Sequence, residues 1–358
     1  MNDDINEREM GDPFFGENYA SYPLDIKNFY KIIPLKSDKK ISCIDGGNLE
    51  LLPTPAYSVQ LNRVYFNIFK NKKLLRIKSD TSNRIEFLSY TSSNFDGKNV
   101  YFETKLSLEK EHFKKFLPSE IDLRIKAFET DYNYGNQIVM ERMASMARRF
   151  SEWTIAEQII DSELDDGDII IKDGSLQTAH VNENKYVDRV FEKAKKKGVI
   201  FTGLSKTSRS ATHTQLSLIS SIQQLAEENN ISFKEWCYFP IAEGRNTKLE
   251  HKVLIMVVKL NRNADTPYRF EMLKEQIDNM SKKEILDVVS YIADYSRDMS
   301  LPGYPYGLID AHLWARVKKE EIKSYQTVLY SEISRLNLWK RVNSHINAIN
   351  THDKLDLL

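Results

Sequence analysis

The chain has 358 residues, and its 51 lysines and arginines are matched by 51 aspartates and glutamates. A formal charge of zero excludes a uniformly basic DNA-coating protein, although a neutral chain can still carry a local basic groove. With 41% hydrophobic, 11% aromatic and 28% charged residues it can bury a sizeable core, which excludes intrinsic disorder.

Two cysteines, Cys43 and Cys237, match neither a disulfide framework nor a metal-binding pattern. No apolar run approaches bilayer length; the longest, Val253 to Val258, suits a buried strand. The opening segment MNDDINEREMGDPFF lacks the apolar core of a signal peptide, so the expected compartment is the cytoplasm, with no membrane partner.

Residues 1–35 read as an arm that mixes acids with aromatics (Phe14, Phe15, Tyr19, Tyr22, Phe29, Tyr30) without a sustained period. Such a segment docks on something, either its own domain or a partner or second copy. Residues 36–345 form one domain, and 346–358 a tail. The first strand is Lys40 to Asp45, which is expected to stop at Gly46-Gly47. A second spans Tyr57 to Phe69, and Lys70 to Lys73 turns it back into Leu74 to Ile77. Another strand fits Val100 to Leu106, and a long helix follows from about Gly135 to Ile160.

The short apolar strand Asp168 to Lys172 is followed by a helix over Lys185 to Lys197, closed by Gly198, and then by a strand from Val199 to Leu204. This is a βαβ unit and implies a parallel pair. Later come a helix near Leu216 to Glu228 and strands over His251 to Leu260 and Tyr268 to Met272. Ser281 to Glu284 is a capping box opening a helix, and the last helices run from Leu308 to Glu321 and Ser324 to Ser344. One α/β domain with insertions accounts for this order better than two separable domains.

No phosphate-binding glycine loop of either common type is present, nor H-E-x-x-H, nor G-x-S-x-G. P-loop hydrolases, common dinucleotide enzymes and serine hydrolases are disfavoured. What recurs is a short apolar strand ending in Asp-Gly, at Ile44-Asp45-Gly46 and at Lys172-Asp173-Gly174. Carboxylates at strand ends beside a glycine can converge on a hard divalent cation. Either dipeptide alone is an ordinary turn.

Glu141 lies between these strands on the long helix, flanked by apolar residues that place it near a buried face; pairing with Arg142 or Arg148 is the competing reading. Near the C-terminus, Tyr304-Pro-Tyr-Gly-Leu-Ile-Asp310-Ala-His312 sets a carboxylate and an imidazole early in a helix. The segment Lys206-Thr207-Ser208-Arg209 leaves a strand with hydroxyls between two cations, as suits phosphate oxygens, or simply an exposed polar loop.

In order, Ile44-Asp45-Gly46-Gly47, helical Glu141, Ile171-Lys172-Asp173-Gly174-Ser175-Leu176, Gly203-Leu-Ser-Lys206-Thr207-Ser208 and Tyr304 to His312 resemble the NurA nuclease family from about residue 40 to 321. The resemblance implies an RNase H-like α/β fold: a mixed β-sheet flanked by helices, with insertions and the N-terminal arm. It implies that Asp45, Glu141 and Asp173 bind Mn²⁺ or Mg²⁺, two per site, with His312 assisting proton transfer and Asp310 as an outer ligand. Glu152 and Glu157 lie on the same helix as Glu141 and compete for its role. Lys206, Thr207, Ser208 and Arg209 would hold the DNA phosphates. The implied activity is a DNA nuclease, a 5′-to-3′ exonuclease with single-strand endonuclease activity. It would act as a homodimer docked on a hexameric HerA-type ATPase that translocates DNA, in end processing or in defence against foreign DNA. One departure is Gly47, where the family often has serine. A non-catalytic DNA-binding adaptor, or another RNase H-like nuclease, is the alternative.

Overall fold

The computed structural model describes residues 10–340 and 342, apart from 55, 79–81, 128–139 and 246–252. Its strands are β1 (Pro13–Phe14), β2 (Tyr19–Ser21), β3 (Phe29–Lys31), β4 (Lys40–Pro53), β5 (Tyr57–Lys70), β6 (Lys73–Leu74), β7 (Arg84–Phe95) and β8 (Val100–Ser107). There follow β9 (Ile125–Lys126), β10 (Ile169–Asp173), β11 (Ile200–Ser205), β12 (Ala211–Thr212), β13 (Trp236–Gly244), β14 (Val253–Lys259) and β15 (Tyr268–Leu273). The α-helices are α1 (Met140–Ala144), α2 (Met146–Ser162), α3 (Glu183–Lys197), α4 (Leu218–Glu228), α5 (Lys274–Ile277), α6 (Lys282–Asp294), α7 (Tyr306–Ala315) and α8 (Lys319–Arg335).

One large mixed sheet organises the molecule, with spatial order β2-β13-β14-β15-β11-β10-β4-β5-β7-β8-β9. β10 runs parallel to both β4 and β11, and its neighbours beyond them pair antiparallel. The parallel centre is the expected βαβ unit, since β10, α3 and β11 are consecutive. α3 ends where Gly198 adopts a left-handed φ of 68°, and Lys195 to Lys197 sit at its negative end.

The sheet separates two apolar layers. Ile44, Phe66, Phe150, Trp153, Ile170 and Phe201 pack on the face covered by α2 and α3. Ile41, Cys43, Ile169, Ile171, Val289 and Leu308 pack on the face covered by α6 and α7. Period-two alternation along β4 and β10 sends successive side chains to opposite layers.

Several expectations need correction. β4 does not stop at Gly46-Gly47 but continues to Pro53, because β5 offers a partner along its whole length. The expected return strand after Lys73 is only two residues long, and the principal antiparallel partner of β5 on that side is β7. β7 escapes a hydrophobic-pattern reading because its inner positions change from Ile85 and Phe87 to Ser89 and Thr91, all buried. β13 likewise had no sequence forecast. The long helix breaks at Ser145 into α1 and α2, and its expected start at 135–139 lies outside the described residues. The last helices are offset, α7 ending at Ala315 and α8 at Arg335.

Residues 13–31 of the arm are stitched to the body. β1 pairs with β12, β2 and β3 pair with β13, and Tyr19 and Phe29 are buried in the core. The tail 346–358 lies outside the described residues.

Candidate active site

β10 ends at Asp173 while its neighbour β4 runs on past Asp45, so the end of β10 leaves a step along the edge of β4. The side chains of Asp45 and Asp173 meet at this step, together with His312 from α7. One ligand atom from each of the three lies within 4.8 Å of the others.

Each group is held by its own support. His312 Nδ1 lies 2.9 Å from Asp45 Oδ2, and the N–H of Gly46 donates to Asp45 Oδ1 at 2.7 Å. Tyr304, fully buried, donates its hydroxyl to Asp173 Oδ1 at 2.9 Å. Lys206 pairs with Asp173 Oδ2 at 2.6 Å, its ammonium over the Tyr304 ring. The Gly174–Leu176 turn after Asp173 is fixed from β15: buried Glu271 accepts from the N–H of Leu176 at 2.8 Å and pairs with Arg269 at 2.7 Å.

The electrostatics of the pair are unequal. Burial alone would raise the pKa of Asp45, but the His312 hydrogen bond, the Lys206 charge and the Gly46 N–H outweigh it and hold the group below its ordinary value. Asp173 is raised, first by burial and then by the charge of Asp45, with Lys206 and Tyr304 opposing. An ionised Asp45 can only accept a hydrogen bond, so His312 presents Nδ1–H to it. That leaves Nε2 as the nitrogen available to a substrate.

Two carboxylates and an imidazole are the donor set of a hard or borderline divalent cation. Two largely buried carboxylates this close also repel, and a divalent cation between them would relieve that repulsion. The residues therefore fit a divalent cation.

Glu141 is not part of this arrangement. It is exposed on α1, eleven residues before Glu152 and on the far side of the break at Ser145. The helical carboxylate that does approach the strand end is Glu152 on α2, almost fully buried and set against Gly46. A side chain at 46 would collide with it, so this glycine makes room for the carboxylate. Glu152 pairs with Arg148 one turn earlier and with Lys172 Nζ at 2.9 Å, and Arg148 also donates to Gly46 O at 3.3 Å.

Asp310 lies one helix flank away from His312. Asn67 donates to its carboxylate at 2.8 Å and to Gly307 O at 2.7 Å, so Asp310 fastens α7 to β5. Its charge, with burial as the larger cause, pushes the Tyr65 hydroxyl up to about 12.

Of the loop after β11, Lys206 alone touches the cluster among the described contacts. Ser208 donates within the loop to Ser210, while Thr207 and Arg209 are exposed.

Sequence reasoning assigned no role to Tyr304, Glu271, Asn67 or Lys172. Only Lys172 carried a signal: a lysine inside Ile169-Ile170-Ile171-Lys172 needs a buried carboxylate partner, which is Glu152.

Comparison with known proteins bears on this site. The NurA domain family model matches residues 39–317. The crystal structure of the NurA nuclease from Sulfolobus solfataricus is similar in fold, with a TM-score of 0.50 at 13% identity, covering 86% of this chain and 88% of that one. Endonuclease V from Ciona intestinalis, solved with an inosine-containing DNA, aligns at a TM-score of 0.37 and 8% identity, covering 82% and 92%. No curated protein matches in sequence.

Proposed function

The chain belongs to the NurA family, and from that membership and the Asp45–Asp173–His312 cluster we propose that it is a nuclease that hydrolyses DNA phosphodiester bonds at this strand-end step. The single observation carrying the assignment is the convergence of residues 45, 173 and 312, far apart in sequence, within 4.8 Å.

Asp45 and Asp173 would hold Mn²⁺ or Mg²⁺, two ions per site, while Glu152, paired with Arg148 and Lys172 across β4, braces the strand end from behind. Bound there, the cations would supply Lewis-acid stabilisation of the phosphate and a water ionised near neutral pH. The chain's own groups do the rest. Asp45 holds His312 through its Nδ1–H, and the imidazolium form of His312 gives its Nε2 proton to the departing oxygen. Lys206, already at the cluster, faces the phosphate with a point charge. Tyr304 and Glu271 keep Asp173 and its turn from moving, which preserves the attack geometry. Phosphate contacts carry no base information, so sequence preference is weak and binding is salt-sensitive.

Exonuclease action from 5′ to 3′, single-strand endonuclease action, a homodimer and a HerA-type hexameric ATPase complete the reading. The resemblance to the family supports them. DNA end processing and defence against foreign DNA both suit such a pair. Among the described residues no helix is long and apolar enough to cross a membrane.

The test is cleavage of end-labelled single- and double-stranded DNA in Mn²⁺, Mg²⁺ or EDTA, repeated with the ATPase and ATP. Metal-dependent cutting that Asp45→Ala abolishes is the expected result. DNA binding without cutting in every condition would instead make the chain an adaptor.

A further inference from the structure

Trp314 stands out among the aromatic residues near the site. Buried rings dominate the core, yet Trp314 is 51% exposed and its neighbour Leu313 60% exposed, both on the last turn of α7. The ring is not loose. It stacks on Tyr65, with centroids 6.0 Å apart and planes 23° from parallel. Tyr65 is the β5 residue directly opposite Asp45 in the β4–β5 ladder, so the two side chains share a face of the sheet. Asp310, one turn before Trp314 on the same helix flank, is fastened by Asn67. An apolar plane is thus held rigidly, with one face packed on protein and much of the ring still open.

Position on the helix sets its distance from the chemistry. His312 and Trp314 are two residues apart, which places them on opposite flanks of α7. His312 reaches Asp45 on one flank, and Trp314 covers β5 on the other. The helix between them, with side chains, is roughly 10 Å across, or about three base steps at 3.4 Å each.

Resting on the nuclease reading above, we propose that Trp314 is a nucleobase platform: an unpaired base two or three nucleotides from the scissile phosphate stacks on its open face. Stacking needs an unpaired base, so the residue favours single strands and frayed ends over intact duplex. Leu313 beside it offers an apolar edge against which the adjoining base step is splayed.

The chain has four tryptophans, of which Trp153 and Trp236 are buried. A Trp339→Phe protein therefore reports Trp314 as its only exposed indole. In EDTA, where nothing is cut, oligo(dT) should quench its fluorescence, and the quench should vanish in Trp314→Phe/Trp339→Phe. Anisotropy with labelled oligo(dT) should show Kd rising on the order of tenfold in Trp314→Ala, the size expected for one base–aromatic stack, and largely restored in Trp314→Phe. Duplex affinity should change much less. In cleavage assays KM should rise with little change in kcat. An abasic site two or three nucleotides from the cut should weaken wild-type binding and leave Trp314→Ala indifferent.

Equal oligo(dT) affinity for wild type and Trp314→Ala would overturn the proposal. So would a change of oligomeric mass in Trp314→Ala, which would make the ring a contact between copies. The two readings fail separately: Asp45→Ala losing cleavage while Trp314→Ala binds normally leaves the nuclease and removes the platform. Quenching by oligo(dT) with no cutting in any condition would do the reverse.

Discussion

Replacing Gly47 by alanine should push the helix carrying His312 off its strand. A Cβ at 47 would stand 2.5 Å from the carbonyl oxygen of Ala315, 3.1 Å from its carbon and 3.3 Å from Arg316 Cα. All three are backbone atoms, so no side-chain rotation provides relief. Ordinary contact starts near 3.4 Å, which asks the end of α7 to retreat by about 1 Å. That end is pinned as well, because Arg316 O accepts from Arg63 Nη1 at 2.9 Å and the N–H of Arg316 closes on His312 O. Overpacking of this kind costs about 1–3 kcal/mol. A shift of about 1 Å between reacting groups can cost on the order of 100-fold in rate. Gly47→Ala should therefore lower the urea midpoint at unchanged slope and reduce kcat far more than DNA affinity. Gly47→Ser, which restores the residue the family often carries, should behave alike in this chain. Gly46→Ala is the comparison, since its methyl presses on Glu152 from the opposite face and leaves the His312–Asp45 contact alone. Wild-type stability and wild-type kcat in Gly47→Ala would refute the packing argument.

Removing Lys206 from Asp173, as Lys206→Met, should lower thermal stability in EDTA and tighten Mn²⁺ binding measured calorimetrically without DNA, because the cation no longer competes with an ammonium; weaker Mn²⁺ binding would contradict this. Glu271→Ala should destabilise by about 3–5 kcal/mol in urea melts, since it leaves the Arg269 side chain, only 11% exposed, without its carboxylate; a change under about 0.5 kcal/mol would make that pair incidental. His180 governs an acid limb of stability. Burial, aided by Arg149, Arg142 and Arg148 and opposed by Glu183, depresses its pKa from 6.5 to about 4. Between those values the unfolded chain binds more protons, so stability is full above pH 6.5 and falls as pH drops toward 4, by on the order of 3 kcal/mol. His180→Phe should flatten that limb in denaturant midpoints taken across pH, and an unchanged slope would rule His180 out as its source.

The sequence carries the centre of the fold well because its signals there are local. The run Ile169-Ile170-Ile171, the lysine-rich end of α3 at Gly198 and the Ser281 capping box each report a neighbour a few residues away, and each element is found there. Asp173 was legible for the same reason, as a strand-end carboxylate beside a glycine; Asp45 was picked out by its glycine, although it lies within β4 and not at its end. What stays hidden depends on contacts across the sheet. Asp-Gly-Gly looks like a stop, but Gly46 makes room for Glu152 on one face and Gly47 for α7 on the other, within an unbroken strand. Helical periodicity alone cannot separate Glu141 from Glu152. Which of them lies against β4 is set by Gly46 and Lys172, both distant in sequence, and these hold Glu152. Asp310 and His312 share a motif, yet two residues of helix send one to Asn67 and the other to Asp45.

The most direct test of the account is the Asp45→Asn/Asp173→Asn double variant, assayed for bound Mn²⁺ by electron paramagnetic resonance and for DNA cleavage on the same sample. Both side chains keep their size, so the fold is preserved while the anionic ligands are lost. The account predicts that the wild type binds Mn²⁺ and cuts, and that the variant does neither while still binding DNA. A double variant that cuts DNA at the wild-type rate would show that hydrolysis happens somewhere other than the Asp45–Asp173–His312 step.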